Sequence, residues 1–383
     1  MSAERTPVVV AAVRTPIARA HPERGAFRDV RADDLSADIM RALLERADVA
    51  DHLVEDIHWG CVRQAGEQGY DVARQAALIA GMPIEVPATT VNRNCGSSLQ
   101  ALNQAAANIL AGLDDIQIAG GVEHMHHLPM DDDYSASPRY LYRHSAATLN
   151  MGLIAENLAR KYDVARADQD AWALRSHQRA AAADWSAEIV PTWGRDDEGR
   201  KVRVNRDQGP RPDTSIEALA KLPAVFRSGG SVTAGNASPL NVGAAALLVM
   251  SEAKATALGL TPLVRVKSMA VAGVDPSVMG IGPVPATHKA LQRADLSLAD
   301  IDIVEINEAF AVQTLACIRL LGLDPEKVNV NGGAIAIGHP LGASGARIAT
   351  TLIHTMFARK VRYGLATMCI GGGQGIATLF ERA

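Results

Sequence analysis

The sequence contains little cysteine and no strong excess of either charge. Its four cysteines, in 383 residues, are Cys61, Cys95, Cys317 and Cys369, and no two of them form a CxxC pair. A disulfide framework is therefore not expected, and the usual ligand spacing of a zinc site is missing. With a formal net charge of −4, the charge balance does not favour a nucleic acid or an anionic membrane as partner.

Long apolar runs are also missing. No uncharged apolar stretch approaches the ~20 residues that a membrane span needs, and residues 1–7 lack the basic start and apolar run of a secretory signal. We therefore expect a cytoplasmic protein with reduced thiols, and an organellar matrix remains open as a second location. The length and the apolar content of 48% predict a globular protein of two or three domains.

Short apolar runs alternate with helical periodicity at both ends of the chain, which predicts an α/β fold. Strands are predicted at residues 8–12, 56–62, 88–91 and 116–119, and again at 244–250, 301–306, 328–330 and 364–368. Helices are predicted at residues 35–46, 70–80, 99–109 and 344–357. Asp33 or Asp34 is expected to cap the first helix, and Gly112 to end the third.

The middle of the chain breaks this rhythm, with helical pieces at 154–162 and 168–183 among loops and prolines. We interpret it as a loop domain that covers the α/β body. The predicted units are an N-terminal α/β half at 1–118, completed by 240–260, a loop domain at 119–239, and a C-terminal α/β half at 261–383. Residues 91–121 and 330–373 share a pattern of strand, small-residue loop, helix and strand, which indicates a duplication.

Cys95 follows a predicted strand and precedes a predicted helix. A free thiol has a pKa near 8.5 and is mostly protonated at neutral pH. The N–H groups of a helix N-terminus are expected to lower that pKa and to supply oxyanion donors. The alternative is a small buried apolar residue.

His339 and Cys369 are the other two reactive candidates. His339 lies in a loop with five glycines between Gly332 and Gly345, and Cys369 precedes three glycines. The first loop matches neither G-x-G-x-x-G nor G-x-x-x-x-G-K-[ST], so a nucleotide site is not indicated. A structural histidine and a buried cysteine are the alternatives. Two thiols and an imidazole can form an acyl-enzyme and move protons on and off carbon, which indicates carbon–carbon bond chemistry on thioesters.

The remaining candidates are weaker. His124, His126 and His127, followed by the acidic run 131–133, do not have the spacing of a metal site, and no metal is predicted. Cys61 and Cys317 lie in apolar stretches and are predicted to belong to the core. Three tyrosines are expected to line the loop domain: Tyr134, Tyr140 and Tyr142.

Over essentially its whole length, and through several separate motifs, the sequence resembles the thiolase family. The motifs are Arg14-Thr15-Pro16, Val91-Asn92-Arg93, Cys95-Gly96-Ser97-Ser98, Gly120-Gly121-Val122-Glu123-His124-Met125, Thr233-Ala234-Gly235-Asn236-Ala237-Ser238, Asn307-Glu308-Ala309-Phe310-Ala311, Gly332-Gly333, Gly338-His339-Pro340, Ser344-Gly345, and Cys369 with Gly371. The resemblance is strongest to the 3-ketoacyl-CoA thiolases of fatty-acid β-oxidation, which include the β subunit of the bacterial fatty-acid oxidation complex. It implies a thiolase-like, duplicated five-layer α-β-α-β-α architecture with an inserted loop domain.

The resemblance also implies roles for the reactive residues. Cys95 would be the nucleophile that carries the acyl group, His339 the base that activates it, and Cys369 the acid and base that serves acetyl-CoA and CoA. One oxyanion site would use His339 with a water held by Asn307. The other would use the backbone N–H groups of Cys95 and Gly371.

Substrates and partners follow from the same resemblance. Ser238 and Phe226 would contact the pantetheine of CoA, and Met151, Met279 and Phe310 would lie near the acyl group. CoA and 3-ketoacyl-CoA would be substrates, with no further cofactor. A homodimer or homotetramer is implied, with a hydratase/dehydrogenase α subunit as a candidate partner.

Three positions depart from the family pattern: Asn94, where an apolar residue or glutamine is more usual, Val242 in place of an aspartate, and Asn150, where biosynthetic acetoacetyl-CoA thiolases tend to carry histidine. The last favours the degradative branch. The alternatives are a biosynthetic thiolase, a decarboxylating condensing enzyme and a non-catalytic scaffold that binds CoA or lipid. The presence of Cys369 counts against the condensing enzymes, which usually lack it.

Overall fold

A mixed β-sheet runs through the centre of the protein and divides into two halves with the same strand order. The computed structural model describes residues 5–130 and 135–383. The halves meet where Val8 and Val9 pair antiparallel with Arg265 and Val264. Because only two residue pairs join them, each half forms its own hydrogen-bonded unit.

The N-terminal half contains five main strands and a short additional one. The strands are β1 (Pro7–Arg14), β2 (Ala18–Arg19), β3 (Asp56–Gly60), β4 (Thr89–Val91), β5 (Ile116–His124) and β8 (Asn241–Ser251). The order is β1-β8-β5-β3-β4, with β2 pairing to β8. The helices of this half are α1 (Ala32–Ala47), α2 (Val72–Ile79) and α3 (Ser97–Ala111), and α8 (Glu252–Ala257) follows β8.

The C-terminal half repeats this order. Its strands are β9 (Val264–Gly273), β10 (Ile303–Ile306), β11 (Tyr363–Ile370) and β12 (Gln374–Arg382), in the order β9-β12-β11-β10. A single parallel bridge between Val304 and Val328 takes the fifth place. The helices are α9 (Pro283–Ala294), α10 (Ala311–Leu321), α11 (Ala334–Ile337) and α12 (Ser344–Arg359). The matching strand orders confirm the predicted duplication.

Between β5 and β8 lies a mainly helical segment with one small hairpin. Its elements are α4 (Pro138–Arg143), α5 (Met151–Lys161), α6 (Arg166–Ala182), β6 (Thr192–Arg195), β7 (Lys201–Val204) and α7 (Ile216–Ala220). β5 continues to His124, beyond the end of the N-terminal half expected at residue 118. The division into three units remains a prediction.

The helices form three layers around the two half-sheets. α3 and α12 pack against each other and against strands of both halves, so they form the middle layer. α1 and α2 cover the outer face of the N-terminal half, and α9 covers that of the C-terminal half. This confirms the α-β-α-β-α arrangement. Within the described ranges, no helix is both long enough and apolar enough to cross a membrane.

The start of α3 and the start of α12 touch each other in the middle layer. The hydroxyl of Ser98 accepts a hydrogen bond from the backbone N–H of Ala346 (2.9 Å). A Cβ on Gly345 would lie 2.3 Å from the backbone nitrogen of Leu99. This close approach places the loops that precede the two helices, with Cys95 and His339, side by side.

Replacing Gly345 with alanine is therefore expected to destabilise the protein by about 3 kcal/mol, because a methyl group would push apart two backbones in a fully packed layer. The free energy of unfolding in urea measures the effect. Gly273→Ala is the control, since a Cβ there would meet only the carbonyl oxygen of Gly373, at 4.0 Å. Equal stabilities of the two variants would contradict the proposed close contact.

Two local predictions are wrong. α1 begins at Ala32 with Arg31 as its N-cap, and Asp33 and Asp34 lie in its first turn, where their negative charge still favours the helix end.

Residues 328–330 do not form a strand beyond the bridge at Val328. Asn329 adopts a left-handed φ of 47°, and its side chain takes over the pairing with Ile306, accepting from its N–H (2.8 Å) and donating to its carbonyl (2.9 Å).

Candidate active site

The reactive side chains lie at the ends of strands or in the loops that lead to the two central helices. Cys95 lies between β4 and α3, and Cys369 lies near the end of β11. Asn307 directly follows β10, the strand paired to β11, and its N–H donates to the carbonyl of Thr367 (3.1 Å). His339 lies in the loop that leads to α12 and contacts the side chain of Asn307.

Cys95 is half-buried one residue before the N-cap of α3, Gly96. Burial raises the pKa of its thiol to about 11, and a hydrogen bond from the backbone N–H of Gly371 acts in the opposite direction. The predicted position near a helix start is confirmed, but the predicted fall in pKa is wrong for the substrate-free protein. Desolvation by the surrounding chain outweighs the nearby N–H groups, so Cys95 is a neutral thiol that needs a base.

Two hydrogen bonds tie the Cys95 loop to the loop that follows Cys369. The side-chain amide of Asn94 donates to the carbonyl of Gly371 (3.0 Å). The guanidinium of Arg93 donates to the side-chain carbonyl of Gln374 (3.0 Å). These contacts bring together two segments that lie more than 270 residues apart in the sequence.

Cys369 is buried, with 1% of its surface exposed. Burial raises the pKa of its thiol well above the ordinary value, and negative charge on Cys95 or Cys317 would raise it further. In the resting protein Cys369 is therefore protonated and able to act as an acid.

The hydrogen bonds around His339 define its tautomer. The hydroxyl of Ser344 donates its single hydrogen to the carbonyl of Pro340 (2.8 Å), and Nδ1 of His339 lies 2.6 Å from the same oxygen. Since that hydroxyl can then only accept, Nδ1 must carry the proton, and Nε2 keeps the lone pair that can accept one. Burial, assisted by the charge of Arg347, lowers the pKa of His339 to about 3. The imidazole is thus a neutral base at physiological pH.

Asn307 and Glu308 are both fully buried but have different surroundings. The amide nitrogen of Asn307 lies 3.4 and 3.5 Å from the two ring nitrogens of His339. Its oxygen has no hydrogen-bond partner within the described part of the chain, which fits a group that accepts a hydrogen bond from a water. The carboxylate of Glu308 instead accepts hydrogen bonds from Trp172, Ser176, Asn329 and Ile335, and so connects several loops.

The five residues predicted to contact substrate belong to, or contact, the hydrophobic cluster that contains Cys369. Met151, Met279 and Phe310 belong to the same hydrophobic cluster as Cys369. Phe226 packs edge-on against Phe310, with ring centroids 6.2 Å apart, and the hydroxyl of Ser238 donates to the carbonyl next to Phe310, that of Ala309 (3.1 Å). The group forms one apolar wall with a polar edge.

The histidines considered for a metal are held by other contacts. The ligand atoms of Glu67, His124 and His127 lie within 4.8 Å of one another. The ring nitrogens of His124 contact the carbonyl of Phe27 and the N–H of His127, and those of His127 contact Glu67 and the carbonyl of Arg28. These hydrogen bonds account for the cluster without a metal. The acidic run 131–133 and Tyr134 lie outside the described residues.

Other sequence predictions have clear outcomes. Cys61 and Cys317 are fully buried, as expected. Tyr140 bonds to Thr148 (3.0 Å), whereas Tyr142 is 92% exposed. Asn150 caps α5 by accepting a hydrogen bond from the N–H of Leu153 (3.0 Å).

Sequence reasoning missed two residues that hold His339. Ser344 fixes its tautomer, and the side-chain oxygen of Asn241 accepts a hydrogen bond from its backbone N–H (3.0 Å). Ser344 lies within a motif used for the resemblance, but its role is visible only once the helix start is placed. For Asn241, which belongs to a strand in the other half, no sequence signal was available.

Three buried histidines are expected to make the protein sensitive to acid. Burial lowers the pKa of His124 and of His177 to about 4, and that of His339 to about 3. The unfolded chain binds these protons near pH 6.5. Between pH 6.5 and about 4 each histidine therefore removes about 1.4 kcal/mol of stability per pH unit as pH falls.

Urea unfolding of the parent and of His177→Gln at several values in this pH window measures this effect. The variant is expected to have a slope shallower by about 1.4 kcal/mol per pH unit, because one proton fewer is taken up on unfolding. Identical slopes would show that His177 is not kept neutral by burial.

The chain matches two family domains and several characterised proteins along nearly its full length. "Thiolase, N-terminal domain" matches residues 7–253, and "Thiolase, C-terminal domain" matches residues 260–382. The chain is 55% identical over 384 residues to a 3-ketoacyl-CoA thiolase of Pectobacterium carotovorum, and the alignment covers 98% of this chain and 99% of the relative. The chain is 54% identical over 384 residues to 3-ketoacyl-CoA thiolase FadA of Escherichia coli K12, with the same coverage. The crystal structure of human mitochondrial 3-ketoacyl-CoA thiolase superposes with a TM-score of 0.91, at 39% identity and 100% coverage of both chains.

Proposed function

We propose that this chain, which belongs to the thiolase family, is a degradative 3-ketoacyl-CoA thiolase. It cleaves 3-ketoacyl-CoA with CoA into acetyl-CoA and a shortened acyl-CoA, as an acyltransferase of fatty-acid β-oxidation. The identity of 54–55% to proteins of that name supports the reaction. The observation that carries the proposal is the hydrogen bond that joins the loop of Cys95 to the loop that follows Cys369, from the side chain of Asn94 to the carbonyl of Gly371 (3.0 Å), beside an apolar cluster that contains Cys369.

The first half of the reaction transfers the acyl group to the enzyme. Nε2 of His339 takes the proton of Cys95 as its sulfur attacks the 3-keto carbon. The bond between C2 and C3 then breaks, and the electron pair leaves on the enolate of acetyl-CoA. Cys369 protonates that enolate, so this half ends with acyl-Cys95, protonated His339 and the thiolate of Cys369.

The second half returns every group to its starting state. The thiolate of Cys369 takes the proton of an incoming CoA thiol, and the CoA sulfur attacks acyl-Cys95. Acyl-CoA leaves, and the freed sulfur of Cys95 recovers its proton from His339. In this half-reaction one thioester, acyl-Cys95, is exchanged for another, acyl-CoA, so neither the forward nor the reverse exchange is strongly uphill in free energy.

The raised thiol pKa values suit these roles. An enolate is a strong base, and a thiol that stays protonated at neutral pH is ready to quench it. A neutral Cys95 beside a neutral His339 also keeps charge out of the buried site until substrate is present. Charge then develops on substrate oxygens, where each backbone N–H donor contributes about 3 kcal/mol.

The backbone around Gly371 leaves room for such an oxygen. A Cβ on this residue would meet only Asn94 and Met151, each at 3.7 Å, and its φ does not lie in the left-handed region. Packing within the chain therefore does not require glycine here. We attribute the glycine to the substrate, whose acyl group must approach this peptide.

Gly371→Ala is accordingly expected to fold with unchanged stability but to lose roughly 100-fold in kcat/KM, since the methyl would displace the acyl oxygen from its donors. Thermal unfolding and steady-state thiolysis together measure this. A variant that keeps full activity would show that substrate does not approach Gly371.

Particular residues disfavour the alternatives. A biosynthetic thiolase tends to use a histidine at position 150, where Asn150 serves here as a helix cap. The presence of Cys95, His339 and Cys369 together disfavours a non-catalytic scaffold. We further propose a cytoplasmic homodimer or homotetramer with CoA as substrate and no other cofactor, and a hydratase/dehydrogenase subunit as partner. Light scattering of the purified chain, alone and with such a subunit, tests the assembly.

Thiolysis of 3-ketoacyl-CoA substrates with short, medium and long chains tests the proposed reaction. Acetyl-CoA and the shortened acyl-CoA are expected in equal amounts, with the acyl group trapped on the peptide that contains Cys95. Condensation of acetyl-CoA without thiolysis of longer chains would favour the biosynthetic alternative. Failure to convert any substrate or to acylate would favour the scaffold.

A further inference from the structure

Asn94 directly precedes the nucleophile and has a left-handed φ of 45°. Its own backbone is held by neighbours in the same loop. The side chain of Asn92 accepts from its N–H (2.9 Å), and the hydroxyl of Ser97 donates to its carbonyl (2.6 Å). Asparagine adopts this conformation more readily than most residues, and glycine adopts it freely. The loop conformation therefore does not require the amide of Asn94.

That amide instead bonds to the opposite loop, donating to the carbonyl of Gly371 (3.0 Å). The opposite loop consists of Gly371, Gly372 and Gly373, and the last two have φ values of 84° and 86°. Three consecutive glycines have wide conformational freedom. The loop is the turn between β11 and β12, whose flanking residues Ile370 and Gln374 are paired, and the carbonyl of Gly373 accepts a hydrogen bond from the N–H of Val274 (2.7 Å).

The same glycine carries the donor that faces the nucleophile. The backbone N–H of Gly371 lowers the pKa of the Cys95 thiol, against the larger effect of burial, while the carbonyl of Gly371 accepts a hydrogen bond from the side chain of Asn94, the residue before Cys95 (3.0 Å). Both polar groups of Gly371 are thus directed at consecutive residues of the nucleophile loop. Because they lie on either side of one Cα, a displacement of that Cα away from Asn94 would move the N–H as well.

We propose that Asn94 is a positioning residue, whose carboxamide holds Gly371 so that the N–H of Gly371 stays directed at the sulfur of Cys95 and at the oxygen of its acyl group. The inference rests on the proposed function for the acyl group, but its contact with the sulfur exists without substrate. An apolar residue at this position could not donate this bond.

Two substitutions separate the amide from the backbone. Asn94→Gly keeps the left-handed conformation and removes the donor, and kcat is expected to fall about tenfold with KM changed less than twofold. Asn94→Asp has the same shape but presents an oxygen to the carbonyl of Gly371, and a fall of about 100-fold is expected. Asp48→Gly is the matched control, since Asp48 is an exposed left-handed residue (φ 52°) at the end of α1.

The rate of Cys95 alkylation by iodoacetamide, followed against pH, gives a readout that needs no substrate. Because the N–H of Gly371 favours the thiolate, both Asn94 variants are expected to react several-fold more slowly at a given pH, with their profiles moved to higher pH. A purely structural role would alter thermal unfolding but not this profile. Parent-like alkylation and kcat in Asn94→Gly would overturn the inference and leave the function intact. If the parent reacts with iodoacetamide but thiolyses no substrate, the function fails, and alkylation of the variants still decides the role of Asn94.

Discussion

Cys95→Ala and Cys369→Ala are each expected to lose thiolysis by roughly 10⁴-fold or more, because each removes a group that forms or breaks a bond to substrate. The two losses differ in kind. Without Cys95 no acyl group can be bound to the enzyme. Without Cys369 the acyl-enzyme can still form, but no acid protonates the enolate and no base deprotonates the thiol of CoA. Mass spectrometry after incubation with substrate is expected to find an acyl group on Cys369→Ala and none on Cys95→Ala.

Cys317→Ala is the control for removing a buried thiol. Cys317 is fully buried in α10 and donates to the carbonyl of Gly280 (3.2 Å), but nothing in the mechanism uses it. Its loss is expected to cost stability and to leave kcat near that of the parent. Full activity in Cys369→Ala would contradict its role as acid and base. An acyl group on any residue other than Cys95 would contradict the assignment of Cys95 as the nucleophile.

Elements with strong local patterns could be predicted from the sequence. α3 has apolar residues at helical spacing and ends at Gly112 in a left-handed conformation, so everything needed to recognise it lies within its own residues. The segment at 328–330 could not be predicted in this way. There the side chain of Asn329 replaces the strand's backbone pairing, and a side chain of that kind is not distinguished by hydrophobic periodicity.

In the candidate site, too, some features could be predicted from local sequence and others depend on distant residues. Cys95, His339 and Cys369 could be proposed because their loops have unusual composition and match a family pattern. The pKa of Cys95 could not, because it depends on burial by the folded chain and on the N–H of a residue as distant in sequence as Gly371. A local rule about helix ends gave the wrong sign, since desolvation is a property of the assembled site.

His339→Gln is expected to lower kcat/KM for thiolysis by roughly 10³-fold, the range expected for loss of a general base. Glutamine can still donate a hydrogen bond to an oxyanion but cannot take the proton of Cys95. Ser344→Ala is expected to cost only about tenfold, because the imidazole remains but loses the acceptor that keeps the proton on Nδ1. Steady-state rates of both variants against the parent measure the difference.

The pH profile provides a separate test of the neutral imidazole. Protonation of His339 would disable the base, but its pKa is lowered to about 3, so almost none is protonated above pH 5. The parent is therefore expected to have no acid limb in kcat/KM from this group between pH 5 and 8, as long as it stays folded. An acid limb near pH 6.5 that disappears in His339→Gln would mean that water reaches the ring and that the base is not held neutral by burial. Two separate causes act on His339. Burial keeps the imidazole neutral, and Ser344 keeps the proton on Nδ1 and the lone pair on Nε2.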